Sequence, residues 1–319
     1  MRPMRPRTER ARTTGATVAD GILLVDKPGG ITSAGVVRDV KRAHRLKSIG
    51  HLGTLDPMAT GLLPLCIGDG TKIAQFLGAE EKAYEGTIRL GIATDTLDVE
   101  GQVVETAPVP EGFAARLEDV AAGLRGPGEQ LPPMYSAVKI AGRKLYEHAR
   151  AGETVERKPR PVVIHELSLE PDVAPDTIRF AVHCSKGTYV RVLAEDVARA
   201  LGTVGTLASL RRTRFGAFDV AEAHPLADLV ARPAGDLPVL DPLSALRGVR
   251  RIPVAAAQAC AIASGQRGVL ARLEPPAGGD ELATLLAPNG GLLAVVEADE
   301  GRWTLRRVLM PEASQLYRS

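Results

Sequence analysis

The sequence is short of the residues that staple, stack or anchor a protein. Only three cysteines, Cys66, Cys184 and Cys260, occur in 319 residues, far apart and in apolar contexts. No CxxC pair and no Cys/His spacing joins them. That argues against a zinc site and a disulfide framework, and for reduced, buried thiols in a cytosolic protein. Aromatic residues make up 3% of the chain, so a tyrosine placed beside a cleft stands out. No apolar run approaches the ~20 residues needed to cross a bilayer, and no membrane contact is expected. An excess of charge is also missing. Lys plus Arg number 40 and Asp plus Glu 38, so net charge identifies no partner.

What is present is the composition of an ordinary globular chain, 45% hydrophobic and 24% charged. Its length suits roughly two domains of ~150 residues. The charge is unevenly spread. The first twelve residues, MRPMRPRTERAR, carry five arginines and one acid with no apolar periodicity. Residues 1–20 are therefore expected to form a disordered basic tail, with a nucleic-acid arm or a transit peptide as alternatives.

Order is expected from Gly21, with a short buried strand over Ile22–Val25 that ends in a Pro-Gly turn. A helix capped by Thr32 or Ser33 follows, with Val36, Val37 and Val40 on one face. KAYEGTIRLG alternates, so Tyr84 shares a face with Ile88 and Leu90. Residues 111–125 read as a helix. Ile178, Phe180, Val182 and Cys184 form one face of a strand before a helix capped by Thr188. Interleaved strands and helices without a regular βαβ rhythm predict an α+β fold with a mixed or antiparallel central sheet and flanking helices. Between them, residues 126–162 mix Lys, Arg, Pro and Gly with Tyr135 and Tyr146. This segment reads equally as a projecting RNA-contact arm or as a solvated helical excursion. From Ile252 a small β-rich module is expected, with a helix opened by Pro253 and closed by Gly265 and a hairpin turning at Asp299–Gly301.

Two residues carry the strongest chemical signal. Asp56 lies in HLGTLDPMATG, and a residue before proline is confined to extended backbone, which restricts the direction of its side chain. Gly53 and Gly61 allow sharp turns or close approach around it. The competing reading is an Asp-Pro turn. Arg191 sits near a predicted helix start, where the macrodipole disfavours a cation. It fits an i,i+4 pair with Glu195, a surface arginine, or a partner for phosphate or for a buried carboxylate such as Asp56. Tyr84 is a core aromatic or a stacking surface for a base. His51 satisfies a turn more often than it catalyses, Lys72 is solvated or binds phosphate, and Asp95 with Asp98 hints at paired carboxylates but reads first as a turn before Gly101.

Five blocks, GILLVDKPGGITS, GHLGTLDPMATGLLPLCIGDGTK, KAYEGTIRLGIATDTLDVEG, QLPPMYSAVKIAGRKLYEHAR and CSKGTYVRVLAEDVARALG…LRRTRFG, occur in one order across residues 21–220. Together they resemble the TruB family of tRNA pseudouridine synthases. The resemblance implies a pseudouridine synthase fold over residues 21–248, its arm at about 126–162, and a PUA-like RNA-binding domain over 249–319. It implies that a uridine of the tRNA T-loop becomes pseudouridine, with Asp56 as the catalytic carboxylate, Arg191 keeping it ionised and Tyr84 stacking on the base. Leu210, His51, Lys72 and Tyr189 take substrate-binding positions by the same resemblance. An isomerisation has no redox step, so neither cofactor nor metal is expected, and the family suggests a monomer without an obligate protein partner. Three rivals stand beside it: a non-catalytic tRNA-binding or folding protein, a guide-RNA-dependent synthase, and an Asp-based glycoside hydrolase. The hydrolase lacks a second carboxylate placed for acid work.

Overall fold

The computed structural model describes residues 18–77, 81–136, 138–140, 142–233, 235–279, 281–310 and 313–316. The basic tail expected over 1–20 lies outside them except for its last three residues. In chain order, β1 (Gly21–Lys27), α1 (Ser33–His44), β2 (Ile49–His51), β3 (Thr60–Ile67), α2 (Gly70–Leu77) and β4 (Lys82–Leu90) come first. A ribbon of β5 (Ile92–Thr94) and β6 (Val103–Thr106) leads to α3 (Leu117–Leu124) and β7 (Gly126–Gln130). A second ribbon, β8 (Lys139–Ile140) and β9 (Arg143–Lys144), precedes α4 (Leu145–Arg150). Then come β10 (Arg160–Pro171), β11 (Thr177–Cys184), α5 (Val190–Leu201) and β12 (Gly205–Phe215). Short β13 (Phe218–Asp219), β14 (His224–Pro225), α6 (Leu226–Ala231), β15 (Val239–Leu240) and α7 (Pro242–Ala245) follow.

The large sheet runs β14-β1-β3-β12-β4-β11-β10-β7. Most neighbours are antiparallel, while β1/β14 and β3/β12 are parallel, which is the mixed sheet the sequence predicts. Its two ends differ because its strands are patterned differently. In β1, Leu23 and Val25 enter one core while Ile22 and Leu24 enter another, so the unbroken run ILLV is buried from both sides. β3 does the same with Leu63 and Leu65 against Leu62 and Cys66. By contrast β11 alternates: Ile178, Phe180, Val182 and Cys184 are buried and Arg179 and Ala181 are exposed. Helices α1, α3 and α5 cover the shared face.

The C-terminal residues form a second sheet, β16 (Arg250–Pro253), β17 (Leu282–Leu286), β18 (Leu292–Asp299) and β19 (Arg302–Val308), joined in that order, with α8 (Ala256–Ala263). It has its own core around Ile252, Leu285, Val296 and Trp303. Leu282, Leu292, Val295 and Leu309 turn outward and pack with Ile22, Leu24, Leu62 and Cys66 of the main sheet. The hairpin turns at Glu300 and Gly301, both at positive φ (47° and 74°), the backbone of a two-residue turn that matches strand twist.

Several local expectations are corrected. Residues 111–125 start as a 3₁₀ turn, Phe113–Arg116, and only Leu117–Leu124 is α-helical. Pro253 ends β16 instead of opening a helix, and α8 begins after Ala255. Thr188 does not cap α5. Its hydroxyl donates backward to the Ser185 carbonyl at 3.0 Å, and Tyr189 is the N-cap, its carbonyl accepting from Val192 and Leu193. At α1 the cap is Thr32, whose hydroxyl accepts from Gly35 N at 3.0 Å, and this frees Ser33 for another task.

Candidate active site

The HLGTLDPMATG loop is fixed residue by residue. Ser33, buried, uses its hydroxyl twice on Leu55: Oγ accepts from Leu55 N and donates to Leu55 O, both at 2.9 Å. On the other side of Asp56, the Pro57 carbonyl accepts from Gly30 N at 2.8 Å and from Lys27 Nζ at 3.1 Å. Lys27 is fully buried at the end of β1 and also donates to Pro28 O at 2.9 Å and Ala59 O at 2.5 Å. Asp56 is thus held between an anchored leucine and an anchored proline. Two glycines make the loop possible. A Cβ on Gly61 (φ 94°) would lie 2.3 Å from the Arg212 carbonyl, so only glycine lets β3 pass β12 here. A Cβ on Gly53 (φ 62°) would lie 2.7 Å from the Phe215 ring.

Burial pulls Lys27 down to about 8, with Asp56 acting in the opposite direction, so the side chain is still an ammonium at neutral pH and can serve three carbonyls. Lys27→Met is expected to cost on the order of 3 kcal/mol by leaving those oxygens unpaired. Denaturant unfolding checks it, and an unshifted midpoint would show that the loop holds itself.

Arg191 reaches the loop from α5. It is buried, 5% exposed, at the second helical position, and four groups surround it. Nε contacts Asp56 Oδ2 at 3.1 Å and Nη1 contacts Asp98 Oδ2 at 3.4 Å. Nη1 also donates to Thr96 O at 2.9 Å, and Nη2 to Tyr135 O at 2.6 Å. Of its three sequence readings, the buried-carboxylate partner is the one found. Glu195 pairs with Arg199 instead, at 2.5 Å. Burial raises the Asp56 carboxyl above its ordinary value, Arg191 and Lys27 draw it down, and Asp98 pushes it up.

A cleft of about 270 Å³ opens over this pair. Asp56, Tyr84, Arg191, Leu210 and Tyr189 all line it, together with Lys82, Ser136 and Arg212. Tyr84 is buried in its wall, and burial raises its phenol. Tyr189 is tied to β7, where Gln130 Oε1 accepts from Tyr189 N at 2.8 Å. His51 and Lys72 are not in the cleft wall. His51, on β2, has its pKa lowered by burial and by the Arg212 charge, which keeps the imidazole neutral. Lys72 pairs with Asp69 at 2.7 Å at the start of α2.

The segment 126–162 is only partly a projection. Its first strand completes the large sheet, Tyr135 lends its carbonyl to Arg191, and α4 is tied back through Tyr146 N to Ser136 O at 3.1 Å. Sequence reasoning missed Lys27, Ser33 and Arg212 and assigned Asp98 to a turn. The turn is there, since Asp98 Oδ1 accepts from Glu100 N at 3.1 Å, but the other oxygen faces Arg191. A lysine closing a buried apolar strand was the available signal for Lys27. Among the described residues no cluster of His, Cys, Asp and Glu has metal-site geometry, and no helix is long and apolar enough to cross a membrane.

The family model described as "TruB family pseudouridylate synthase (N terminal domain)" matches residues 41–190. A tRNA pseudouridine synthase B of Aromatoleum aromaticum is 50% identical over 251 residues, covering 78% of this chain and 81% of that protein. The chain belongs to the TruB family. Another TruB-family relative, tRNA pseudouridine synthase B of an Azoarcus species, is 42% identical over 300 residues and covers 93% of this chain and 97% of its own length. Among solved structures, a Cbf5–Nop10–Gar1 complex superposes with a TM-score of 0.70 at 22% identity, covering 94% of this chain and 87% of that one. A structure of an H/ACA RNP bound to a substrate RNA containing 2′-deoxyuridine gives 0.66 at 21% identity, over 91% of this chain and 85% of that one. At that identity the likeness is one of fold, and it extends through the C-terminal sheet.

Proposed function

We propose that this TruB-family chain converts a uridine of the tRNA T-loop into pseudouridine, acting in the cytoplasm as a single chain on tRNA. The observation that carries the reading is the Asp56–Arg191 pair at 3.1 Å, set in a cleft that Tyr84 and Leu210 also line. Cleavage of the N-glycosidic bond and re-attachment of the sugar at C5 needs one aimed carboxylate. Both routes open to Asp56, addition to C1′ or removal of the 2′ hydrogen, require its ionised form, which Arg191 favours. Tyr84 and Leu210, on neighbouring strands, would give a flat base an aromatic and an apolar contact, and Tyr84 would help remove the C5 proton. The target must leave its stack, at a cost of a few kcal/mol. Residues about 126–162, Lys72 and the unit 249–319 would grip the RNA outside the cleft, His51 would fill space near the extruded nucleotide, and salt would weaken that grip.

Tritium release from tRNA labelled at uridine C5 tests the reading, since only a synthase exchanges that hydrogen. Bare tRNA, without any small RNA or partner protein, is expected to suffice. No release would favour the binding-protein reading, and release that appears only with a guide RNA would favour the guided enzyme.

A further inference from the structure

Arg212 is fully buried in the cleft wall, and among the described residues no carboxylate pairs with it. Arginine stays charged under any physiological condition, and buried cations are normally paired. Two of its donors hold the frame of the catalytic loop: Nε donates to Leu62 O at 2.7 Å and Nη2 to Gly53 O at 2.9 Å. The Phe215 ring lies 5.2 Å from the guanidinium carbon. Nη1 has no hydrogen-bond partner among the described residues. A buried polar group left in that state asks for an explanation.

The sheet register supplies one. Arg212 on β12 stands directly opposite Tyr84 on β4, which sets their side chains on one face at about 5 Å between Cβ atoms. Their electrostatic coupling is mutual: the guanidinium opposes the effect of burial on the phenol, and the phenol favours the charged guanidinium. The other titratable groups around the pair are Asp56 and Cys184 beside Tyr84, Lys27 and His51 beside Arg212, and Lys82, which lines the same cleft and lies 4.7 Å from the Phe215 ring. Of these only Asp56 is acidic, and Arg191 holds it.

We propose that Arg212 is a positioning residue for proton removal from C5: its unpaired Nη1 receives the Tyr84 oxygen as that oxygen becomes anionic and takes the proton. The inference rests on the uridine reading above. In this step the phenolic proton passes to water in the cleft. The C5–H bond breaks, its electron pair restores the C5=C6 double bond, and the proton goes to the phenolate oxygen. N1, freed from the sugar, takes up one proton, so none is gained or lost. A guanidinium suits the task because it only donates, so the tyrosine oxygen must accept.

The test is single-turnover kinetics on 5-tritiated tRNA across pH, with tritium release and pseudouridine formation read from the same reactions. Wild type, Arg212→Gln, Arg212→Lys, Tyr84→Phe and the two Arg212 variants combined with Tyr84→Phe are compared, each checked for wild-type folding by circular dichroism. Arg212→Gln is expected to slow tritium release ~10–100-fold and to move the rate profile to higher pH. Added to Tyr84→Phe it should cost little more, because the two act as one unit. Wild-type rates and profile in a folded Arg212 variant, or losses that simply multiply with Tyr84→Phe, would overturn the proposal. If the glutamine variant does not fold, the lysine variant, which keeps a buried cation but cannot serve both carbonyls and Tyr84, decides by the same criteria. A wild-type protein that forms no pseudouridine would instead remove the functional reading itself.

Discussion

Asp56→Asn will bind tRNA as wild type does and form no detectable pseudouridine. The amide occupies nearly the same volume but carries no negative oxygen, and neither sugar chemistry open to Asp56 can proceed without one. The frame of the loop does not depend on the carboxylate, since Ser33, Gly30 and Lys27 hold the residues on either side. Filter binding and product mapping on the same preparation check both halves. The variant also carries a stability signature. Burial raises the Asp56 carboxyl and outweighs Arg191, so the folded protein keeps that proton to higher pH than the unfolded chain. Between the ordinary carboxylate value and the raised one, folding binds the extra proton, and this group's contribution to stability falls as pH rises. At neutral pH the ionised Asp56 therefore weakens the fold. Asp56→Asn is expected to melt at or above the wild-type temperature at pH 7, with the difference fading in acid. A lower melting temperature at pH 7 would contradict the desolvation argument.

Arg191→Met will move the acid limb of the rate profile upward by about 1–3 pH units, with a loss of ~100-fold at neutral pH. Removing the guanidinium leaves Asp56 and Asp98 facing one another's charge without a cation between them. Asp56 then holds its proton to higher pH, and less of it is ionised at pH 7. Raising the pH should recover part of the rate, which distinguishes this cause from a collapsed site. Arg191→Lys should fall between, because an ammonium supplies a charge without the fork that reaches two carboxylates and two carbonyls together. Pseudouridine formation under single turnover, measured at intervals across pH, reads both. An unmoved profile in a folded Arg191→Met protein would mean that Arg191 does not set the charge of Asp56.

Much of this was legible in the sequence, and the failures have physical causes. β1, β3 and β11 could be read because apolar run and alternation report how many faces of a strand are covered. Asp56 was legible because proline and glycine fix backbone direction locally. Its pairing with Arg191 was not, because periodicity cannot choose between Glu195, one turn away, and an acid 135 residues upstream. The cap at Thr188 failed because a hydroxyl at a helix start can bond backward as well as forward. Asp98 looked like a turn residue because one of its oxygens does close a turn. Arg212 was hidden by its company, a basic run LRRTRFG in which pleat alternation sends Arg211 to Asp26 and buries its neighbour.

Two of the contacts that steady Arg191 are backbone oxygens, from Thr96 and Tyr135. Substitution at Tyr135 changes the side chain and leaves the oxygen in place, whereas the Thr96 hydroxyl has a second duty, donating to Asp98 Oδ1 at 2.6 Å. Insertion or deletion spares neither: one residue added to either loop would shift the carbonyl by a whole peptide. Length is what drift must preserve in both loops, and at Thr96 the hydroxyl as well.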